Sequence, residues 1–142
     1  MTVKVILDEK GREVETLERS ATLAAAAAVL ARKKIGAVII VNAERQILGV
    51  LSERDIVRAV AEAGAEVLGQ PVSSAMTRKV VTCRETHTVN EVMEIMTNGR
   101  FRHLPVEIDG KLGGIVSIGD VVRRRIMEVE REAEDMKAYI AS

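Results

Sequence analysis

Gly49-Val50-Leu51-Ser52-Glu53-Arg54-Asp55-Ile56-Val57-Arg58 and Gly114-Ile115-Val116-Ser117-Ile118-Gly119-Asp120-Val121-Val122-Arg123 are two copies of one pattern, offset by 65 residues. The Gly, Ser, Asp, second Val and Arg are identical, and three further positions exchange Val, Ile and Leu. Upstream at the same offset, Val38-Ile39-Ile40-Val41 lies over His103-Leu104-Pro105-Val106. Further back the register slips by one, pairing Thr16 with Thr82 and Leu23 with Val89. An internal duplication takes precedence in a fold assignment, because each copy is one supersecondary unit.

Working outward, each copy reads in one order. A short strand (Val14 to Leu17; Val80 to Cys83) precedes a helix (Thr22 to Lys34; Thr88 to Thr97). In the second copy Val89, Val92, Met93 and Met96 recur at helical spacing. Two strands then flank a turn: Ala37 to Val41 with Leu48 to Leu51, and Leu104 to Ile108 with Gly113 to Val116. Asp109-Gly110 suits a turn that needs positive φ. A second helix closes the unit, from Glu53 to Ala63 and from Ile118 onward. The expected fold is α+β: two β-α-β-β-α repeats packed about a pseudo-twofold axis. The boundaries are 1–66, 67–127 and a C-terminal helical extension at 128–142. One copy of ~65 residues buries a marginal core, and pairing the copies relieves that while creating a cleft with two related sites. The connector Gly64 to Met76, with Pro71 inside it, is too short and too poor in Ser and Gly for a flexible linker.

Composition removes several functions. The 21 Lys+Arg and 21 Asp+Glu give a net charge of zero, so no global field draws nucleic acid. Phe101 and Tyr139 are the only aromatic rings besides the two histidines, too few for a base-stacking platform. A single Cys83 excludes an intramolecular disulfide framework and a multi-cysteine metal site. Met1 to Ser20 has no apolar stretch of the ~7–15 residues a signal core needs, and the chain has no ~18-residue apolar run for a membrane helix; Ala21 to Ala31, broken by Thr22, is mostly alanine. A cytoplasmic location without a membrane partner is expected.

Ser52 with Asp55, and Ser117 with Asp120, stand where a strand runs into a helix. Ser at the N-cap with an acid three residues on is close to a capping box, a purely structural device. The same turn also presents backbone N–H groups and a hydroxyl to a phosphate, with a carboxylate near enough to accept from ribose hydroxyls. The two roles are compatible.

Gly-Val-Leu-Ser-Glu-Arg-Asp at 49–55 and Gly-Ile-Val-Ser-Ile-Gly-Asp at 114–120 resemble the signature of CBS domains. Arg102-His103-Leu104-Pro105-Val106 resembles the strand preceding it in that family. The resemblance covers nearly the whole chain as a tandem pair, or Bateman module, similar to the small stand-alone CBS-pair proteins of bacteria. It implies an adenosine ligand (AMP, ADP, ATP, NAD(H) or S-adenosylmethionine) in the cleft between repeats, with no cofactor required. Carried over, Asp55 and Asp120 hold ribose hydroxyls, and Ser52 and Ser117 contact ribose or phosphate. Thr16, Thr82, Ala37 and Val38, and Arg102, His103, Leu104 and Pro105, border the base. The smooth Gly36-Ala37-Val38-Ile39 against the basic Phe101-Arg102-His103-Leu104 predicts unequal sites.

Other residues divide between bland and functional readings. Arg54 and Arg123, the latter repeating Arg58, are phosphate candidates; Arg123-Arg124-Arg125 otherwise forms a solvated basic stripe. His103 and His87 lack metal-ligand neighbours. Cys83 reads as a small buried hydrophobe. No nucleophile–base arrangement or Walker loop is visible, so a non-enzyme is expected. Val122, Ile126, Val129, Ala133, Met136 and Ile140 form a heptad seam that predicts a homodimer contact or a lid over the other module. The expected role is a regulatory nucleotide sensor acting on a partner protein. The alternative is a structural or adaptor homodimer with vestigial sites.

Overall fold

The computed structural model describes residues 1–141. Its elements are α1 (Val3–Lys10), β1 (Thr16–Leu17), α2 (Leu23–Lys33), β2 (Ala37–Val41), β3 (Ile47–Ser52), α3 (Glu53–Ala63), α4 (Val89–Gly99), β4 (His103–Ile108), β5 (Lys111–Ser117) and α5 (Ile118–Ala141). Two short 3-10 segments, Ala65–Gly69 and Val72–Ser74, order the connector between the halves.

Local chemistry accounts for the element ends. Thr22 caps α2 by accepting from the Ala25 amide at 3.1 Å, and Thr88 forms a capping box with Glu91 on α4. Lys34 and Arg100 close these helices at equivalent points, with φ of 55° and 57°. Asp109 and Gly110 both have positive φ (53° and 77°), as the tight turn between β4 and β5 requires.

In the first half, β1 pairs parallel with β2, and β2 pairs antiparallel with β3, aligning Ala37 with Ser52 and Ile39 with Val50. In the second half, β4 and β5 pair antiparallel, aligning His103 with Ser117. The strand expected over Val80 to Cys83 is reduced to one parallel bridge, Cys83 to Val106. The Val80 amide donates to the Arg78 carbonyl at 3.0 Å, which bends the chain. Only Cys83 then reaches the ladder, donating to Pro105 and accepting from Glu107. The run of β-branched residues serves a cleft wall rather than a sheet.

Two cores lie outside a smaller central one. Leu23, Ala26, Leu30, Val38, Ile40, Leu51, Ile56 and Val72 fill the first half. Val89, Val92, Met96, Leu104, Val106, Val116 and Val121 fill the second, together with Cys83. Between them Ile39, Val41 and Leu112 pack with Val14, Ile47, Val50 and Ile115. Ile47 with Leu112, and Val50 with Ile115, occupy the same positions of the two copies, so the repeat relates these four residues of the central contact. The Leu112 amide donating to the Arg45 carbonyl at 2.9 Å adds a backbone tie between the halves.

Helix α1 was not read from the sequence, and it packs in the second core through Val3, Ile6 and Leu7. It stands to the second half as the connector stands to the first. The Val72 amide donates to Ala21, and the Leu23 amide to Gln70. Correspondingly, the Val3 amide donates to His87, and the Val89 amide to Met1. The glycine opening each motif makes room for the incoming segment. A Cβ on Gly49 would stand 2.6 Å from Met76 Sδ, and one on Gly114 would stand 2.8 Å from Leu7 Cδ2. Arg124, buried on α5, pairs with Glu9 and ties α1 down further.

Because Leu7 is fully buried, Leu7→Ala should destabilise the protein by about 2–5 kcal/mol in denaturant unfolding. A loss below about 0.5 kcal/mol, the level of an ordinary surface change, would show α1 to be dispensable to that core.

Candidate functional site

The two strand-to-helix junctions are built alike. The Ser52 amide donates to Asp55 Oδ2 at 2.9 Å, and the Asp55 amide donates to Ser52 Oγ at 3.2 Å. The Ser117 amide donates to Asp120 Oδ2 at 2.9 Å, and the Asp120 amide to Ser117 Oγ at 3.1 Å. A further bond stitches each helix start to the residues before the first strand of its hairpin. Glu53 donates to the Gly36 carbonyl at 3.0 Å, and Ile118 donates to the Arg102 carbonyl at 2.8 Å. Ala37 and His103 are thereby held beside the junctions.

The junctions differ in what surrounds them. A cleft of about 300 Å³ opens on the first. Of the residues singled out from sequence it brings together Ala37, Ser52, Arg54 and Asp55 from one repeat with Arg102, His103 and Pro105 from the other. Val50, Val80, Val81 and Phe101 complete an apolar wall. Arg54, Arg58, Lys79, Arg100 and Arg102 set five cations against Glu53 and Asp55. This volume lies at the lower end of the range for small-molecule sites, and its mixed lining is typical of them. Excess positive charge together with a helix N-terminus favours an anionic group.

The other sequence candidates lie elsewhere. Val38 and Leu104 have their side chains in the two outer cores. Thr16 lies on β1, paired with Ile39. Thr82 Oγ1 donates to Glu107 Oε2 at 3.4 Å. At the second junction Asp120 accepts from Lys10 Nζ at 2.7 Å and from Arg123 at 3.0 Å, so Arg123 is engaged with the carboxylate. The basic stripe is likewise internally paired, Arg124 with Glu9 and Arg125 with Glu128. Lys79, Thr77 and Val81 line the cleft without having been singled out. They belong to the connector's exit, whose path no local pattern specifies.

Charge and burial shift three groups. Burial lowers the value of His103, and the nearby Lys10 ammonium lowers it further, against the opposing pull of Asp120 and Glu53. Burial pushes Asp120 upward, but the Lys10 ammonium and the Ser117 amide outweigh it and hold the carboxyl below its ordinary value. Cys83 is pushed up to about 12 by burial, which leaves it a neutral thiol packed in the core.

No helix of the described residues is long and apolar enough to cross a membrane. Among the described residues no cluster of His, Cys, Asp and Glu could hold a metal ion.

Paired halves with matching strand-to-helix junctions and a cleft between them define a tandem two-repeat module. The chain belongs to the CBS domain family, which it matches over residues 6–62 and 72–126. It is 51% identical to the CBS-domain containing protein ATU1752 from Agrobacterium tumefaciens. That comparison covers 88% of this chain and 99% of the other, with a TM-score of 0.84. It is 36% identical to the mitochondrial CBS domain-containing protein CBSX3 of Arabidopsis thaliana over 78% of this chain and 56% of that protein's length. The CBS domain pair of protein MJ0100, whose structure is in complex with 5′-methylthioadenosine and S-adenosyl-L-methionine, is 26% identical. The similarity covers 90% of this chain and 98% of that one, with a TM-score of 0.80.

A histidine whose folded-state value lies below its ordinary 6.5 favours the neutral ring in the fold. Its contribution is fully present above pH 6.5 and is lost as pH falls from there through the folded value. Stability should therefore decline as pH falls below about 6.5, and His103→Gln should flatten that limb. An unaltered pH profile in His103→Gln would assign the decline to other groups.

Proposed function

We propose that this protein is a regulatory module that binds an adenosine nucleotide in the cleft at Ser52 and Asp55, and that it does so without catalysing a reaction. The observation that carries this is the convergence on one cleft of a helix N-terminus, an acceptor carboxylate, an aliphatic wall and five cations. Asp55 Oδ2 is committed to the Ser52 amide, while Oδ1 faces Arg58 at 3.5 Å and retains acceptor capacity for ribose hydroxyls. Val50, Val80, Val81 and Pro105 offer apolar faces to adenine, and Arg54, Arg58, Lys79, Arg100 and Arg102 offer charge to phosphates. The adenosine ligands of the related MJ0100 pair support the ligand class. The cation excess favours AMP, ADP, ATP or NAD(H) over an uncharged nucleoside.

Calorimetry with AMP, ADP, ATP, NAD(H) and S-adenosylmethionine tests this. The tightest of them, at about 100 times its Kd, should stabilise the fold by about 2.7 kcal/mol. Asp55→Ala should weaken that ligand by about tenfold or more, since each tenfold corresponds to about 1.4 kcal/mol. No binding by any member of the panel would leave the adaptor reading in its place.

Helix α5 supports a homodimer. Val122, Ile126, Val129, Met136 and Ile140 are exposed along it, from 39% at Val122 to 77% at Ile140. They follow the alternating spacing of a coiled-coil seam. In a parallel pair of such helices the flanking Arg125 would face Glu130 of a second copy, and Glu132 would face Lys137, so the charges are complementary to a copy of the same helix. Transmission of a binding signal would then pass through the geometry of the dimer to a regulated protein. Truncation after Glu128 should shift light scattering from dimer to monomer; an unchanged dimer would remove the extension from the interface.

A further inference from the structure

The two junctions have the same internal hydrogen bonds but not the same neighbours. The register that lays Val3 over Val72 also lays Lys10 over Lys79. Lys79 is exposed at the edge of the open cleft, and the ion pair of Asp55 among the described residues is the one with Arg58. Lys10 instead reaches across the second junction. Its ammonium donates to Asp120 Oδ2 at 2.7 Å and to the Ile115 carbonyl at 3.0 Å. Arg123 takes the other carboxylate oxygen at 3.0 Å. The cation that Arg54 supplies in the first copy is absent from the second, where Gly119 stands at that position.

From these contacts we propose that Lys10 fills the second nucleotide position, so that the chain takes one nucleotide, at Asp55, and keeps the Asp120 position closed with its own side chain. This rests on the nucleotide reading above. Three physical facts support it. The Lys10 ammonium carries a full charge opposite to that of the carboxylate, a Coulomb attraction that a neutral ribose hydroxyl lacks, so the hydroxyl does not replace the ammonium on equal terms. Lys10 ends a helix whose Val3, Ile6 and Leu7 are buried in the second core. The ammonium is thus delivered by a packed element and not by a mobile tail. Finally, the carboxylate it holds is mostly buried, with a side-chain exposure of 11%, where such a pair is less screened than on an open surface.

Titration calorimetry of the full chain with ATP, ADP and AMP, reading stoichiometry, tests the proposal. The wild-type chain should take one nucleotide and Lys10→Met two. Lys10→Arg, which keeps a cation at the same position, should remain at one. In the Lys10→Met background, Asp120→Ala should return the count to one while Asp55→Ala leaves the new site. Circular dichroism of each variant checks that it is folded, and Lys10→Gln replaces Lys10→Met if the latter is not. A stoichiometry of two in the wild type, or of one in the folded Lys10→Met or Lys10→Gln variant, overturns the proposal and leaves the Asp55 site standing. Absence of nucleotide binding in every variant overturns the nucleotide reading and this inference with it.

Discussion

Each half of the chain closes its core only because a segment from outside its sheet and helices lies across it. Val72 of the connector enters the first core, and Val3, Ile6 and Leu7 of α1 enter the second. Both segments are held by the same pair of backbone bonds at the start of the following helix, to Ala21 and Gln70 in one case and to His87 and Met1 in the other. A repeat of this size exposes too much of its surface to be stable without such cover. The covering segments also decide which face of each motif glycine is occupied, by Met76 over Gly49 and by Leu7 over Gly114. The central packing of Ile39, Val41 and Leu112 then fixes the halves against each other.

The consequence for the site is that identical local chemistry meets unequal surroundings. Both Ser–Asp pairs are capping boxes, and each stabilises its helix whatever else it does. The structural and recognition roles do not compete, because a carboxylate has two oxygens and the cap engages one. What distinguishes the junctions is the element that arrives beside them. At the first, the connector's exit contributes Thr77, Lys79, Val80 and Val81 to an open wall. At the second, α1 arrives with an ammonium aimed at the carboxylate. His103 lines the open cleft while its titration responds to Lys10 and Asp120. It therefore lies within electrostatic reach of both junctions.

The legible and illegible parts of the molecule divide along sequence separation. Helices α2, α3 and α4, the hairpins and the caps at Ser52, Thr88 and Ser117 follow from spacing and side-chain chemistry within a few residues. Val80 to Cys83 reads as a strand because β-branched residues signal extended chain, but extended chain can line a cleft as well as pair in a sheet. Helix α1 is not legible locally, because its short apolar stripe resembles the alternation of an irregular terminus until a core is there to receive it.

By itself, the sequence determined the repeat, the capped junctions, the buried thiol and the seam on α5, because each is written in contiguous residues or in a constant offset between copies. The tertiary structure alone decided that α1 completes the second half, that Arg124 is spent on Glu9, and that Lys10 rather than solvent faces the second carboxylate. Those outcomes join residues more than a hundred positions apart, as Lys10 and Asp120 are, or depend on which face of a helix finds a core. Such pairings are chosen by the packing of the whole chain, and no local pattern encodes them.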